Sequence, residues 1–301
     1  RYTYLPLIGI FVCGIWLAQE YIHSRTAIYT LATTIGLSIT VATSVQLRVW
    51  KDTRTLFEHA AKVVPRNHMA TTLLGSLLAK EGKYTEALAY YQQALAYKPG
   101  YPEVHFFIGH TLEQQGKLDE AIAAYQKSLV AGPIQEQAHI FLGQAFGKKL
   151  MPREAIDHYQ AALKINPESA TAHNNLARLF HTQGQLTNAI HHYQTALKLN
   201  PELKQAHNNL GVLLLQLGQI ENGVAELRTA IQLDPDNPEP QLNLAVALNK
   251  QAKWSEAVEW FSKVVGPATT DPNAHCHFAQ ALAKTSRTRE AMSHYASALL
   301  L

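Results

Sequence analysis

The sequence predicts an all-α protein in which two transmembrane helices precede an α-solenoid of about seven helix-turn-helix repeats. Three observations lead to this fold class. Two long stretches near the start carry no charged side chain. Prolines then recur every 34 residues, at positions 65, 99, 133, 167, 201 and 235. Small and aromatic residues recur in the same register, which indicates stacked copies of one structural unit.

Residues 1–49 predict two membrane-spanning helices, at about 4–22 and 27–47. Residues 27–47 carry no charge, and as a helix they would span about 31 Å, the thickness of one hydrocarbon core. A signal peptide is the alternative for the first stretch, but that stretch lacks a basic start and a second apolar stretch follows it. A buried soluble helix is the alternative for the second stretch, and its length argues against that.

Residues 68–301 predict seven repeats, and residues 50–67 predict a half-repeat helix that joins them to the membrane part. The repeat boundaries are 68–101, 102–135, 136–169, 170–203, 204–237, 238–271 and 272–301. Two columns of small residues, beginning at Gly75 and Ala87, mark where paired helices approach closely. The aromatic column is Tyr91, Tyr125, Tyr159, Tyr193, Leu227, Phe261 and Tyr295. This pattern is typical of tetratricopeptide repeats (TPRs), which form right-handed solenoids.

The inner face of the array is predicted to carry a ladder of asparagines. With place 1 at the first residue of each repeat, place 6 holds Asn175, Asn209 and Asn243 in three successive repeats. Asparagine amides offer donors and an acceptor on a short stem. We therefore expect this ladder to hold the main chain of an extended peptide. The alternative is that the amides only bond the adjacent repeat or water. The sequence favours neither interpretation over the other.

The predicted groove includes further polar residues of the first helix of each repeat. The predicted peptide-binding residues are Asn174, Asn175, Arg178, Asn208, Asn209, Asn243, Gln144, Gln216 and His110, with His181, Asn249 and Lys250 beside them.

Composition and motifs argue against several other functions. The formal net charge is only +3 and the basic residues are scattered, so nucleic acid is not an expected partner. Five of the fifteen histidines stand at place 4 of separate repeats, about 10 Å apart, which is too far to share a metal ion. No catalytic or cofactor motif occurs. We expect no cofactor, no metal and no catalytic site in this chain, and expect polypeptides and membrane lipid as partners.

Two resemblances extend this interpretation. The motif AHNNL, at 172–176 and 206–210, resembles the repeats of soluble O-linked N-acetylglucosamine transferases, whose superhelix carries an asparagine ladder for substrate peptides. RYTYLPLIG at 1–9, with RVWKDTRTLFEHAAKVVPRNHMA after the spans, resembles bacterial-type polytopic membrane proteins with TPRs, related to the transmembrane TPR-containing O-mannosyltransferase-like family. The matching residues are Arg1, Tyr4, Leu5, Pro6 and Gly9, whereas Leu7 stands where that family commonly has serine.

The second resemblance implies that the chain is the C-terminal part of a glycosyltransferase-like membrane protein, and a start at Arg1 fits such a fragment. The repeats would lie outside the cytoplasm, in a periplasm or the endoplasmic-reticulum lumen. They would present acceptor proteins to a lipid-linked-sugar protein O-glycosyltransferase, whose catalytic residues lie upstream. The positive charges after the second span favour the opposite, cytoplasmic side. The rival function is a membrane-anchored assembly scaffold without glycosyltransferase activity.

Overall fold

The structure, a computed structural model, describes residues 52–129, 135–266 and 269–301, together with Thr34 and Leu37. The regular structure of these residues is entirely α-helical and comprises fifteen helices. They are α1 (Thr53–Val63), α2 (His68–Lys80), α3 (Tyr84–Tyr97), α4 (Pro102–Gln114), α5 (Leu118–Ser128), α6 (Gln135–Lys148), α7 (Pro152–Ile165), α8 (Ala170–Thr182), α9 (Leu186–Leu199), α10 (Lys204–Gln216), α11 (Ile220–Leu233), α12 (Pro238–Lys250), α13 (Trp254–Val264), α14 (Pro272–Lys284) and α15 (Thr288–Leu300).

The prediction of two transmembrane helices requires correction. Apart from Thr34 and Leu37, the predicted spans at 4–22 and 27–47 lie outside the described residues. Among the residues that are described, no helix is both long enough and apolar enough to cross a bilayer. The longest of these helices, of which α9 is one, have 14 residues and are about 21 Å long. A membrane span needs about 20 residues. The corrected fold class is an all-α TPR solenoid.

The chain divides into two compact units, residues 1–107 and 108–301, and the division falls within α4. In the first unit, α1 packs on α2, and α2 packs on α3. Tyr91 is only 1% exposed there, and its ring stacks on that of Phe107, with the ring centroids 6.1 Å apart.

In the second unit, the first helix packs on the second helix in the pairs α6–α7, α8–α9, α10–α11, α12–α13 and α14–α15. First helices also contact one another, because α8 touches both α6 and α10, and α12 touches both α10 and α14. The second helices make no comparable contacts with one another within the described part of this unit. The first helices are therefore closer together and line the concave side. We call the surface formed by α6, α8, α10, α12 and α14 the inner face.

The three predicted columns build the core of each pair. Ala155 and Ala189 are fully buried, as are Tyr159 and Tyr193 of the aromatic column. Where the small residue is glycine, the ring packs on bare backbone, since a Cβ on Gly143 would lie 2.7 Å from Cε1 of Tyr159. The close approach of paired helices therefore depends on this pattern of small and aromatic residues.

The turn between paired helices takes a left-handed step at place 15. Gly184 and Gly218 have φ values of 74° and 77°, a conformation that glycine adopts without a steric penalty. Leu150, Ala252 and Ser286 adopt the same conformation at the equivalent places, with φ of 57°, 56° and 65°. The sequence did not predict this, because these residues pay a steric penalty that glycine avoids.

Candidate functional site

The asparagines of the inner face form hydrogen bonds between successive repeats. Nδ2 of Asn209, at place 6, donates to Oδ1 of Asn174, at place 5 of the preceding repeat, over 3.2 Å. Nδ2 of Asn243 donates in the same way to Oδ1 of Asn208, over 3.0 Å. Asn208 in turn donates to Oε1 of Glu239 on α12, the first helix of the next repeat, over 3.0 Å. The amides therefore tie α8 to α10 and α10 to α12.

These bonds are the ones expected under the alternative interpretation, in which the asparagines bond the adjacent repeat. Each bond uses only one hydrogen of the donating amide. Asn174 and Asn208 are only 7% and 6% exposed, which places their oxygens inside the joint between repeats. Asn209 and Asn243 are half-buried and remain at the surface of the inner face. Their binding of a peptide stays a prediction.

The ladder stops at Asn175. Its side chain is 8% exposed, and Nδ2 is buried without a hydrogen-bond partner among the described residues. The reason lies in the preceding repeat, where place 5 holds Ile140, a side chain without an acceptor. Asn175 is thus a buried donor that the chain does not satisfy, and such a group normally costs free energy.

Two tyrosine hydroxyls beneath the same face also lack a partner. The hydroxyls of Tyr159 and Tyr193 are buried and have no hydrogen-bond partner in the described residues. Burial raises the pKa of both side chains, that of Tyr159 to about 12, while the Arg178 guanidinium acts to lower both. Arg178 therefore lies near both hydroxyls, although it completes no hydrogen bond of good geometry with either. Sequence reasoning placed these tyrosines in the aromatic column and missed their unpartnered hydroxyls.

The other predicted groove residues are dispersed. Gln216 is exposed at the end of α10, and its Oε1 lies 2.5 Å from Nε2 of His181 in the preceding repeat. His110 on α4 makes an edge-on ring contact with Phe141, at a centroid distance of 5.6 Å. Gln144 is half-buried on α6, and Arg178 is exposed on α8. The structure therefore brings Asn174 and Asn208 into the ladder, but it does not bring His110 or Gln144 to it.

Four of the place-4 histidines, namely His139, His173, His207 and His275, contact the residue at place 23 in the second helix of the same repeat. The Nδ1 atoms are 2.9 Å apart in His139–His158 and 2.8 Å apart in His275–His294. In the fifth repeat, His207 meets the carboxylate of Glu226 at 2.5 Å instead. Among the described residues, no group of three or more His, Cys, Asp or Glu side chains could hold a metal ion.

Comparisons with known proteins place this geometry in a family. A family model described as the cilia and flagella-associated protein 70 C-terminal domain matches residues 101–301, more than half of the chain. The chain belongs to this family of TPR domains. A model of the TPR repeat itself matches residues 75–116 of the TPR chain. No curated protein matches it.

Solved structures share the fold of this TPR chain. The crystal structure of the APC/C hetero-tetramer Cut9–Hcn1 contains a chain that is 17% identical, with a TM-score of 0.63. That similarity covers 81% of this chain but only 45% of the other chain. The pilF protein of Pseudomonas aeruginosa is 20% identical, with a TM-score of 0.60, and the match covers 64% of this chain and 88% of that one.

The TPR α-solenoid predicted from the sequence is thus confirmed, and the chain is an interaction module of the TPR type, since such solenoids present extended concave binding surfaces. None of these comparisons shows a relation to O-mannosyltransferase-like membrane proteins. Presentation of acceptors to a glycosyltransferase and an extracytoplasmic location stay predictions from the resemblance.

Proposed function

We propose that the second unit binds an extended segment of a partner protein along its inner face. The observation that carries this proposal is the row of oriented amides. Asn209 and Asn243 each donate from Nδ2 to the preceding repeat, and no hydrogen bond from the described residues reaches Oδ1 of either side chain. Each half-buried amide therefore keeps an acceptor for a main-chain N–H group.

The bonds between repeats support this role because they orient the amides before a partner arrives. A side chain that is already held in place loses little conformational entropy on binding, and this raises affinity. An asparagine that turned freely would lose more. The structural bond and the proposed binding role are therefore compatible in one side chain.

The spacing of the repeats also suits an extended segment. Neighbouring helices pack about 10 Å apart. Three residues of a polyproline-II-type chain rise about 9 Å, and the chain then presents the same side again. A segment in that conformation can thus offer equivalent main-chain groups to Asn209 and Asn243, and it needs no particular side chain there.

The test begins with selection of a random linear peptide library on the full chain, followed by affinity measurement through fluorescence anisotropy. Val212 is half-buried at place 9 of α10, one repeat after Arg178. Val212→Trp is expected to weaken binding about tenfold or more, because the indole occupies the inner face.

The matched control is Gln194→Trp, which adds the same ring at an exposed position of the second helix α9. This variant should bind the peptide as the native chain does. The proposal is overturned if no peptide is selected, or if both tryptophans change the affinity equally while circular dichroism shows that both variants are folded.

A further inference from the structure

A buried carboxylate in the second repeat shows what the tyrosine of the aromatic column can hold. The hydroxyl of Tyr125 donates to Oε2 of Glu113 over 2.8 Å. Nζ of Lys148, from the next repeat, donates to Oε1 of the same carboxylate over 2.7 Å. The Glu113 side chain is only 5% exposed. One carboxylate is thus held by a phenol below it and a cation from the neighbouring repeat.

The third repeat keeps the tyrosine and lacks the carboxylate. Tyr159 is fully buried, and its hydroxyl has no hydrogen-bond partner among the described residues. The place of Glu113 is taken by Gly147, which has no side chain to offer. A Cβ on Gly147 would meet only Cδ2 of Leu179, at 4.0 Å, so there is space on this side of α6.

A cation and a second unsatisfied donor accompany this hydroxyl. Arg178 is exposed on α8. Burial raises the pKa of Tyr159, and the nearby charge of Arg178 acts in the opposite direction. Asn175 precedes Arg178 by three residues and is therefore beside it on the helix surface. At the equivalent place in the preceding repeat, Phe141 lies against Tyr125, with centroids 5.7 Å apart. By this equivalence Asn175, with its unpartnered Nδ2, lies next to Tyr159.

We propose that the space beside Gly147 binds the carboxylate of an aspartate or glutamate from the partner segment. Tyr159 and Asn175 donate hydrogen bonds to it, and Arg178 supplies the positive charge. The bound carboxylate takes the position that Glu113 takes one repeat earlier. The Arg178 side chain is exposed, so its rotation gives the carboxylate access to the buried donors. This inference rests on the proposed function, because the carboxylate belongs to the segment on the inner face.

The negative charge of Glu113 does not prevent this binding. Glu113 raises the pKa of Tyr159, which places a negative charge within reach of the hydroxyl. That carboxylate is already paired with Lys148 and accepts from Tyr125. Arg178 has no salt-bridge partner among the described residues, so its charge remains for an incoming anion.

The first experiment uses an acidic peptide from the library selection and a synthetic copy with each acidic residue changed in turn to its amide. One such change should weaken binding to the native chain about tenfold, as expected for the loss of a hydrogen bond to a charged group. Tyr159→Phe should bind the acidic and amide forms with nearly equal affinity, because phenylalanine keeps the volume and removes the donor.

The second experiment needs no peptide. Gly147→Glu supplies the carboxylate from the chain itself, and Gly147→Gln is the neutral control of the same size and similar helix propensity. We expect Gly147→Glu to have the higher melting temperature at pH 7, although a negative charge at this C-terminal end of α6 is otherwise unfavourable. We also expect Gly147→Glu to abolish the preference for acidic peptides.

The outcomes separate the two proposals. Peptides that bind equally in acidic and amide forms, or selected peptides without acidic residues, overturn the carboxylate site and leave the proposed function standing. If no peptide is selected, the proposed function is overturned and the two Gly147 variants decide about the site. A Gly147→Glu chain that is no more stable than Gly147→Gln then overturns the site as well.

Discussion

The Nδ1 atoms of His173 and His192 lie 2.8 Å apart across the two helices of one pair. Nε2 of His173 lies 3.1 Å from the carbonyl oxygen of Pro167, and a carbonyl can only accept, so Nε2 carries the proton. In its neutral form His173 therefore accepts at Nδ1, and His192 donates from its own Nδ1. If both rings were protonated, two N–H groups would face each other and the bond would break.

The histidine pairs should therefore make stability depend on pH. Burial and the nearby charges of His173 and His191 lower the pKa of His192 to about 4, against about 6.5 in an unfolded chain. Between these values the unfolded chain binds more protons, so protonation favours unfolding. The contribution of the pair is complete above about pH 6.5 and is lost as the pH falls towards about 4. Thermal unfolding followed by circular dichroism across this range should show a falling melting temperature.

His192→Glu provides the matched comparison, because it recreates the His207–Glu226 pair of the fifth repeat. A protonated His173 can donate from Nε2 to the carbonyl oxygen of Pro167 and from Nδ1 to a carboxylate, so protonation strengthens this pair instead of breaking it. We expect this variant to lose less stability than the native chain between pH 7.5 and 5. Equal losses in both chains would contradict the role assigned to the pair.

Two glycine-to-alanine substitutions should have opposite effects on stability. A Cβ on Gly223 would lie 2.8 Å from Cγ of Leu215 and 2.9 Å from the backbone oxygen of Gly211. Overpacking of this kind costs about 1–3 kcal/mol, of which improved helix propensity returns up to about 1. Gly147→Ala meets nothing closer than 4.0 Å and should stabilise the chain by about 0.5–1 kcal/mol. The midpoint of urea denaturation, measured for each variant, shows whether its stability rises or falls. Stabilisation by Gly223→Ala would refute the packing argument.

The left-handed turns predict a further pair of opposite changes. Ala252 has φ of 56° where Gly218 of the preceding repeat has φ of 77°. Ala252→Gly should raise the free energy of unfolding by about 0.5–1 kcal/mol, since relief of the strain outweighs the added flexibility of the unfolded chain. Gly218→Ala should lower it by about 1 kcal/mol, because no atom within 4 Å would contact the new methyl group and only the backbone conformation opposes it. Equal denaturation midpoints in the native chain and both variants would exclude this assignment.

The bonds between repeats should appear as energetic coupling between Asn208 and Asn243. Removal of the Asn243 amide leaves Oδ1 of a 6% exposed Asn208 without its donor, at an expected cost of about 1–3 kcal/mol. A double-mutant cycle with alanine at both positions should give a coupling energy of about 0.5–3 kcal/mol. Asn175→Ala serves as the comparison and should cost less, because its Nδ2 has no partner to lose. A coupling energy near zero would mean that the hydrogen bond contributes nothing.

The period and the residue columns predicted the helical core because they record local packing. Tyr91, Tyr125 and Tyr159 each meet a glycine sixteen positions earlier in the same hairpin, as Tyr159 meets Gly143. A 34-residue period makes that relation visible in the sequence. The apolar stretches at 4–22 and 27–47 predicted two membrane spans, and that fold class is wrong, since no helix among the described residues is long and apolar enough to cross a bilayer.

The candidate site was only partly predictable from the sequence. The sequence placed Asn175, Asn209 and Asn243 on one face, since all three stand at place 6. It could not show that Asn209 reaches Asn174, because that contact depends on how two neighbouring helices cross. The contact between His173 and His192 was likewise not predictable from the sequence. The absence of a carboxylate beside Tyr159 is visible only when the hydrogen bonds of successive repeats are compared.

The bonds between places 5 and 6 decide what the deletion of a whole repeat would leave behind. Excision of residues 204–237 would bring Asn243 opposite Asn174, and the same amide pair would form at the new junction. Excision of residues 170–203 would instead bring Asn209 opposite Ile140, the neighbour that Asn175 has in the native chain, and would keep the bond between Asn243 and Asn208. Either excision therefore leaves one amide bond and one asparagine opposite Ile140, so the array can be shortened by one module at either place with the same contacts at its seams.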